Sequence, residues 1–152
     1  MILAADATII VESASGNRRI KAVDFFTGMF TTALKSNEII TSIRIPVPAD
    51  GSRSVYLNFE QPASRFAIIG CAVLRHNDGR VAIAFTGAGE YPFREVEAEK
   101  YLSGKELNAE NIDKAADMAF NGVDFLSDHY AQADYRKHLA KTYLKKALHA
   151  VA

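Results

Sequence analysis

Four histidines and one cysteine are the side chains of this sequence best suited to metal or nucleophile chemistry, and their spacing favours neither. His76, His129, His138 and His149 share no HxxxH or HExxH spacing, and Cys71 has no second thiol to complete a ligand set. No metal site is expected. Ser64 stands beside Arg65, but no histidine lies near it in sequence and no GxSxG elbow occurs. Only the fold could assemble a triad around it. Gly87-Ala88-Gly89 is more suggestive, because it follows the apolar run VAIAFT and precedes a helical segment, the setting of a phosphate loop. The third glycine of a dinucleotide fingerprint is missing and Pro92 takes its place, so a tight strand-to-helix turn is the better reading.

Two further stretches carry chemical interest. In NFEQPASRFAII, residues 58–69, Pro62 breaks a strand, and Arg65 and Phe66 then sit at the entrance of the next one. Such an arrangement suits a planar ligand, with an aromatic side chain and backbone groups freed by the break. A plain structural bend accounts for the same residues. Near the C-terminus Arg136, Lys137, Lys141, Lys145 and Lys146 crowd one helical side. They read as a solvated face rather than a docking face, because the overall charge is balanced. Tyr130, Tyr135 and Tyr143 read as core and edge packing.

The elements that must position these residues fall into two groups. ATIIV at 7–11 and RRIKAV at 18–23 are short strands around the turn residues SASGN. Asp24 precedes FFTGMFTTAL and can start a helical turn, which Gly28 keeps short. EIITSIRIP alternates, predicting Ile39, Thr41, Ile43 and Ile45 on one side and Ile40, Ser42 and Arg44 on the other. Strands at 55–61, 68–75 and 81–86 follow, the last two joined by HNDG, whose Asp-Gly tolerates the positive φ of a tight turn. Short turns between them imply an antiparallel meander.

Helices dominate the second half. Pro92 suits a first helical turn before FREVEAEKYL, and Gly104 fits just past its end. Asn108 is a plausible N-cap for AENIDKAADMAF, where Ile112, Ala115, Ala116 and Ala119 form an apolar stripe that Asn121-Gly122 ends. A last helix spans about 133–150, with Tyr135, Leu139, Thr142, Tyr143, Ala147 and Leu148 at helical spacing. Strands first and helices later predict an α+β fold, an antiparallel sheet covered on one face by helices.

Length and composition fit one domain, or one domain with a short extension, able to bury a core without staples. Eighteen basic residues balance eighteen acidic ones, which argues against a nucleic-acid or anionic-membrane partner. Cys71, within IIGCAVL, cannot form an intramolecular disulfide and reads as a buried, inert thiol. MILAADATIIV lacks a basic n-region and is interrupted by Asp6, so it does not read as a signal peptide. No run approaches the roughly 20 apolar residues of a membrane span. A cytoplasmic protein is expected.

Four stretches in order, DFFTGMFTTALKSNEIITSIRIP, YLNFEQPASRFAIIGCAV, GAGEYPFREVEAEKYLSGK and SDHYAQADYRKHLAKTYLKKAL, resemble the FAD-binding (medium) subunit of molybdenum hydroxylases, the carbon monoxide dehydrogenase and xanthine dehydrogenase family. The resemblance covers nearly the whole chain. It implies a tail of the FAD-binding domain at residues 1–50 and, at 54–152, the family's C-terminal domain, a three-stranded antiparallel sheet with a three-helix bundle. It implies FAD as cofactor, a molybdenum-binding large subunit and an iron–sulfur small subunit as partners, and electron flow through the clusters to FAD and on to an acceptor. No cysteine cluster for iron–sulfur ligation is present, so those centres belong to partners.

By position, Ile40 matches an aliphatic residue that packs by the flavin ring. Phe66 matches an aromatic residue near the isoalloxazine in some relatives. Glu60 falls where some relatives carry a flavin-contacting lysine, a departure with reversed charge. Thr32 and Glu38 match a loop-shaping pattern. The two glycine-rich loops that hold the FAD pyrophosphate would precede Met1, so the resemblance implies an incomplete site and weak or absent FAD binding by this chain alone; a fragment, a truncated gene product, or half of a split subunit completed by a chain carrying those loops all fit it. A cofactor-free interaction module that docks to hydroxylase subunits is the alternative.

Overall fold

A computed structural model describes residues 1–152. Nine strands and three helices follow one another along the chain. β1 (Thr8–Ser13) and β2 (Gly16–Lys21) form a hairpin, and β1 also pairs antiparallel with β5 (Ile39–Arg44), giving the order β2-β1-β5. Between them a single 3-10 turn, Ala22–Asp24, leads into a small hairpin of β3 (Phe26–Gly28) and β4 (Thr31–Thr32). The helical turn expected to start at Asp24 is corrected: the 3-10 turn ends there, and the residues after it form this hairpin, whose tip residue Phe30 is fully exposed.

The central sheet is antiparallel in the order β6 (Arg53–Glu60), β7 (Ala67–Arg75), β8 (Val81–Thr86) and β9 (Phe93–Arg94). Its three long strands are those expected at 55–61, 68–75 and 81–86, and Gly79 takes φ +85° in the Asp-Gly turn. The fourth strand corrects the helix expected from Pro92. Phe93 and Arg94 pair with Phe85 and Ala84, so the first helix, α1 (Val96–Leu102), starts later. Gly104, at φ +74°, lies just past its end as expected. α2 (Ala109–Met118) is capped by the Asn108 side chain, which accepts from the Asn111 amide at 2.9 Å. It stops before Asn121-Gly122: Ala119 is already extended, and Phe120, at φ +69°, buries its ring in the core. α3 (Ala133–Val151) is the long C-terminal helix.

Alternation divides the central sheet's residues between two cores. Ile69, Cys71 and Val73 on β7, with Val81, Ile83 and Phe85 on β8, pack under the helices against Leu102, Ile112, Leu144 and Leu148. The opposite face carries Ala72, Ala82 and Ala84, small side chains that let Ile9, Val11 and Ile20 of the N-terminal sheet approach, with Leu74 beside them. The architecture is therefore α+β in three layers: N-terminal sheet, central sheet, helices. On α3 the buried stripe is Arg136, Leu139, Ala140, Leu144, Ala147, Leu148 and Val151. Tyr135, Thr142 and Tyr143 lie at its margin, and Arg136 belongs to the core rather than the polar side. No helix is long and apolar enough to cross a membrane.

Candidate functional site

The connection between β6 and β7 holds two of the three candidate residues. Pro62 ends the strand, and the chain then turns back on itself through its own hydrogen bonds. The Gln61 amide donates to the Phe66 carbonyl at 2.8 Å, and the Arg65 amide donates to the Gln61 carbonyl at 2.8 Å. The Gln61 side-chain oxygen accepts from the Ser64 amide and, at 2.8 Å, from the Ser64 hydroxyl. Arg65 sits at φ +58°, a conformation that a non-glycine residue holds only when its surroundings determine it. Outside this tied turn stands Phe66, 79% exposed. Glu60, also exposed, ends β6 and accepts from Asn58 Nδ2 at 3.0 Å. That bond keeps it on the face of Tyr56 and Asn58, turned toward the N-terminal layer.

Ile40 reaches its place by a route that strict alternation hides. β1 and β5 pair Ile9 with Ile43 and Ile10 with Ser42, but Val11 with Ile40, so the register shifts by one residue at Thr41. Such a bulge re-aims the side chains beyond it. Ile40 and Ile43 therefore share the face of the buried Ile9 and Val11, and the expectation that Ile40 and Ile43 lie on opposite sides is corrected. Both stay about half exposed, Ile40 at 44%. They extend the apolar interior onto an uncovered shelf at the edge of the N-terminal sheet. The structure thus gathers Glu60 and Phe66 at one connection and sets Ile40 on the neighbouring layer.

Between the layers lies a cavity of about 270 Å³, lined by Leu3, Phe26, Tyr56, Gly70, Thr86 and Pro92 among others. Its walls are mostly apolar. Burial raises the Tyr56 phenol's pKa, with the charges of Cys71 and Glu60 acting in the same direction. Cys71 is fully buried, and desolvation pushes its thiol far above its ordinary range. No three or more His, Cys, Asp and Glu side chains gather closely enough to hold a metal ion.

Gly87-Ala88-Gly89 forms a packed turn. Gly87 has φ +75°, Ala88 is fully buried, and the Ala88 carbonyl accepts from Leu126 N at 2.9 Å. A Cβ on Gly87 would stand 2.5 Å from the Ile68 carbonyl oxygen. Glycine is needed here for close backbone approach, and the loop turns inward rather than toward a ligand. Two lysines on the basic side of α3 are matched by α2: Lys145 Nζ lies 2.7 Å from Asp113 and Lys141 Nζ 3.6 Å from Asp117.

Four charged residues matter more than the sequence suggests. Arg18 grips Glu38 through two bonds, of 2.6 and 2.8 Å, and donates to the Ala33 carbonyl. This grip and the Lys35 amide hold the Glu38 carboxyl down at about 2. The role expected of Glu38, shaping the loop after β4, thus has a partner in β2. Glu95 is buried and accepts from the Phe120 amide at 3.1 Å; desolvation raises its pKa despite hydrogen bonds from Phe120 and Ala98. Arg136 is buried beneath the sheet end that carries Phe66. Only the pattern of charges inside apolar helical stripes could have flagged it.

The family described as CO dehydrogenase flavoprotein C-terminal domain matches residues 54–151. The chain belongs to that family. Residues 1–48 match the FAD binding domain in molybdopterin dehydrogenase. Among curated proteins, the glyceraldehyde dehydrogenase medium chain of Sulfolobus acidocaldarius is 36% identical over 156 residues, covering 100% of this chain and 55% of that protein. The carbon monoxide dehydrogenase medium chain of Hydrogenophaga pseudoflava is 30% identical, covering 97% of this chain and 53% of its own. Among solved structures, carbon monoxide dehydrogenase from Hydrogenophaga pseudoflava lacking the Mo-pyranopterin moiety superimposes with a TM-score of 0.92 at 31% identity, over 99% of this chain and 54% of that one. The chain of this CO dehydrogenase flavoprotein family member spans about half the length of the curated relatives it matches.

Proposed function

We propose that this chain is part of the flavoprotein subunit of a molybdenum hydroxylase, helping to position FAD for electron transfer from iron–sulfur clusters to an external acceptor. In this reading residues 1–50 close an FAD-binding domain and residues 54–152 form the C-terminal domain. The observation that carries it is Phe66, an exposed ring presented by a turn tied through its own hydrogen bonds. Ile40 supports it, because the bulge at Thr41 presents an uncovered aliphatic side chain on the core-facing side of β5. FAD, when bound, supplies the redox chemistry. The chain's own residues would shield the flavin from water: Phe66 with an aromatic surface, Ile40 with an aliphatic one. Glu60 contributes a carboxylate fixed by Asn58.

The fit is partial. The ring-covering residues suit a flavin, whereas the inward-turned Gly87–Gly89 offers no cradle for the FAD pyrophosphate. Backbone amides for that anion would come from glycine loops outside residues 1–152. A molybdenum-binding large subunit and an iron–sulfur small subunit complete the proposed assembly, in the cytoplasm. The reading as a cofactor-free docking module loses support from α2, whose aspartates already answer Lys141 and Lys145. The test mixes this chain with one bearing the glycine loops and FAD, then passes the mixture over a sizing column. Flavin travelling with both chains is the expected result. Flavin eluting free would count against the proposal.

A further inference from the structure

Arg136 is the one buried cation of the chain, only 4% exposed. A buried charge costs several kcal/mol of solvation unless every donor finds an acceptor, and here the guanidinium is almost fully engaged. Nη1 donates to the carbonyls of Ile68 at 2.7 Å and Gly87 at 2.8 Å. Nε donates to the Ala131 carbonyl at 3.3 Å, and Nη2 to Asp128 Oδ2 at 2.6 Å. A rigid fork of five N–H donors can serve such a divergent set, and an ammonium cannot. Asp128 is braced in turn by the amides of Tyr130 at 2.9 Å and Ala131 at 3.0 Å.

Two of the acceptors, the Ile68 and Gly87 carbonyls, lie where the β7–β8 ladder has ended. The β7–β8 ladder ends at Gly70 opposite Thr86, and Gly87 then turns to φ +75°. Beyond that pair the carbonyls of Ile68 and Gly87 need a donor from outside. Arg136 provides it, tying the start of β7, the end of β8, the 126–132 connection and α3 at one point. Phe66 lies two residues ahead of the Ile68 carbonyl. Its own carbonyl is held by the Gln61 amide. Each end of the short segment carrying the exposed ring is therefore fixed, one by the turn and the other by Arg136.

We propose that Arg136 is a positioning residue: by holding the Ile68 and Gly87 carbonyls it sets the direction in which Phe66 is presented to its ligand. The proposal rests on the reading of Phe66 as flavin-facing and adds the residue that aims it. A merely structural clamp would lower the melting temperature without loosening the ring at position 66 more than any other loss of stability does.

The chain contains no tryptophan, so Phe66→Trp installs a single indole at an exposed site. Its fast local motion is read by time-resolved fluorescence anisotropy with Arg136 intact, with Arg136→Lys and with Asp128→Asn. Ile112→Val, buried on α2 and not among the partners of Arg136, supplies a loss of stability that leaves those hydrogen bonds in place. The amplitude of local motion is expected to rise roughly twofold or more in Arg136→Lys, because an ammonium cannot reach all the acceptors of the fork. A smaller rise is expected in Asp128→Asn, and none in Ile112→Val. Unchanged motion in Arg136→Lys, or an equal rise in Ile112→Val, overturns the proposal. Should Arg136→Lys fail to fold, Asp128→Asn decides alone, and unchanged motion there overturns it. Adding FAD and the loop-bearing chain forms a separate arm. Absence of indole quenching with Arg136 intact sinks the flavin-facing reading of Phe66, while the anisotropy result still decides whether Arg136 aims the segment.

Discussion

Gly87→Ala tests how tightly the end of the central sheet is built, and Gly79→Ala is its natural control. Both glycines have positive φ, +75° and +85°. An alanine in either place meets the left-handed penalty of roughly 1–2 kcal/mol, less about 0.4–1 kcal/mol from the stiffer unfolded chain. At Gly79 nothing lies within 4 Å of the added Cβ, so the net cost there is about 1 kcal/mol or less. At Gly87 the Cβ would meet the Ile68 oxygen at 2.5 Å and the Ala67 oxygen at 2.8 Å, both backbone atoms. Relieving that contact pulls the Ile68 or Gly87 carbonyl away from Arg136. Losing one hydrogen bond to a charged donor costs about 1.5–3 kcal/mol. The total for Gly87→Ala is then about 2–5 kcal/mol, or roughly 5–15 °C in Tm for a chain of this size. Paired thermal and urea melts of the two variants give the comparison. Equal losses at positions 79 and 87 would refute the close-approach argument.

Other consequences can be checked alongside. Leu144→Ala, fully buried under the helices, should cost about 2–5 kcal/mol in urea unfolding; a neutral result would misplace the α3 core face. Glu38 is held at about 2 against an ordinary 4.5, so it stabilises the fold above the ordinary value. That contribution fades as pH falls from about 4.5 through about 2, and Glu38→Gln should flatten this part of a stability–pH curve. A wild-type and variant pair with parallel curves would show that the Arg18 grip contributes nothing. Phe66→Ala should change stability by less than about 0.5 kcal/mol, as expected of an exposed side chain away from the core. A large drop in Tm would make Phe66 a packing residue instead.

Much of the architecture was legible because its signals are local. HNDG marks its hairpin, and Asn108 and Gly104 mark helix ends through side-chain capping and positive φ. The spacing of Leu139, Ala147 and Leu148 locates α3 to within a residue or two. The missed features depend on partners far away in sequence. β9 is two residues long and exists only because Phe85 and Ala84 offer an open edge. The bulge at Thr41 is invisible to an alternation count, because it is set by pairing with β1, yet it decides which way Ile40 faces. Arg136 looks like one more base on a basic helix until the unpaired carbonyls of Ile68 and Gly87 come into view. Of the three candidate site residues, Glu60 and Phe66 share a connection because they are neighbours in sequence. Their relation to Ile40 is a property of the layers.

The affinity of FAD for the mixture of this chain with a glycine-loop partner, measured with Phe66 intact and with Phe66→Ala, bears most directly on the account. A ring that covers the flavin predicts binding weakened by roughly tenfold or more on its removal, the worth of about 1.4 kcal/mol. Equal affinity in the two mixtures would contradict it.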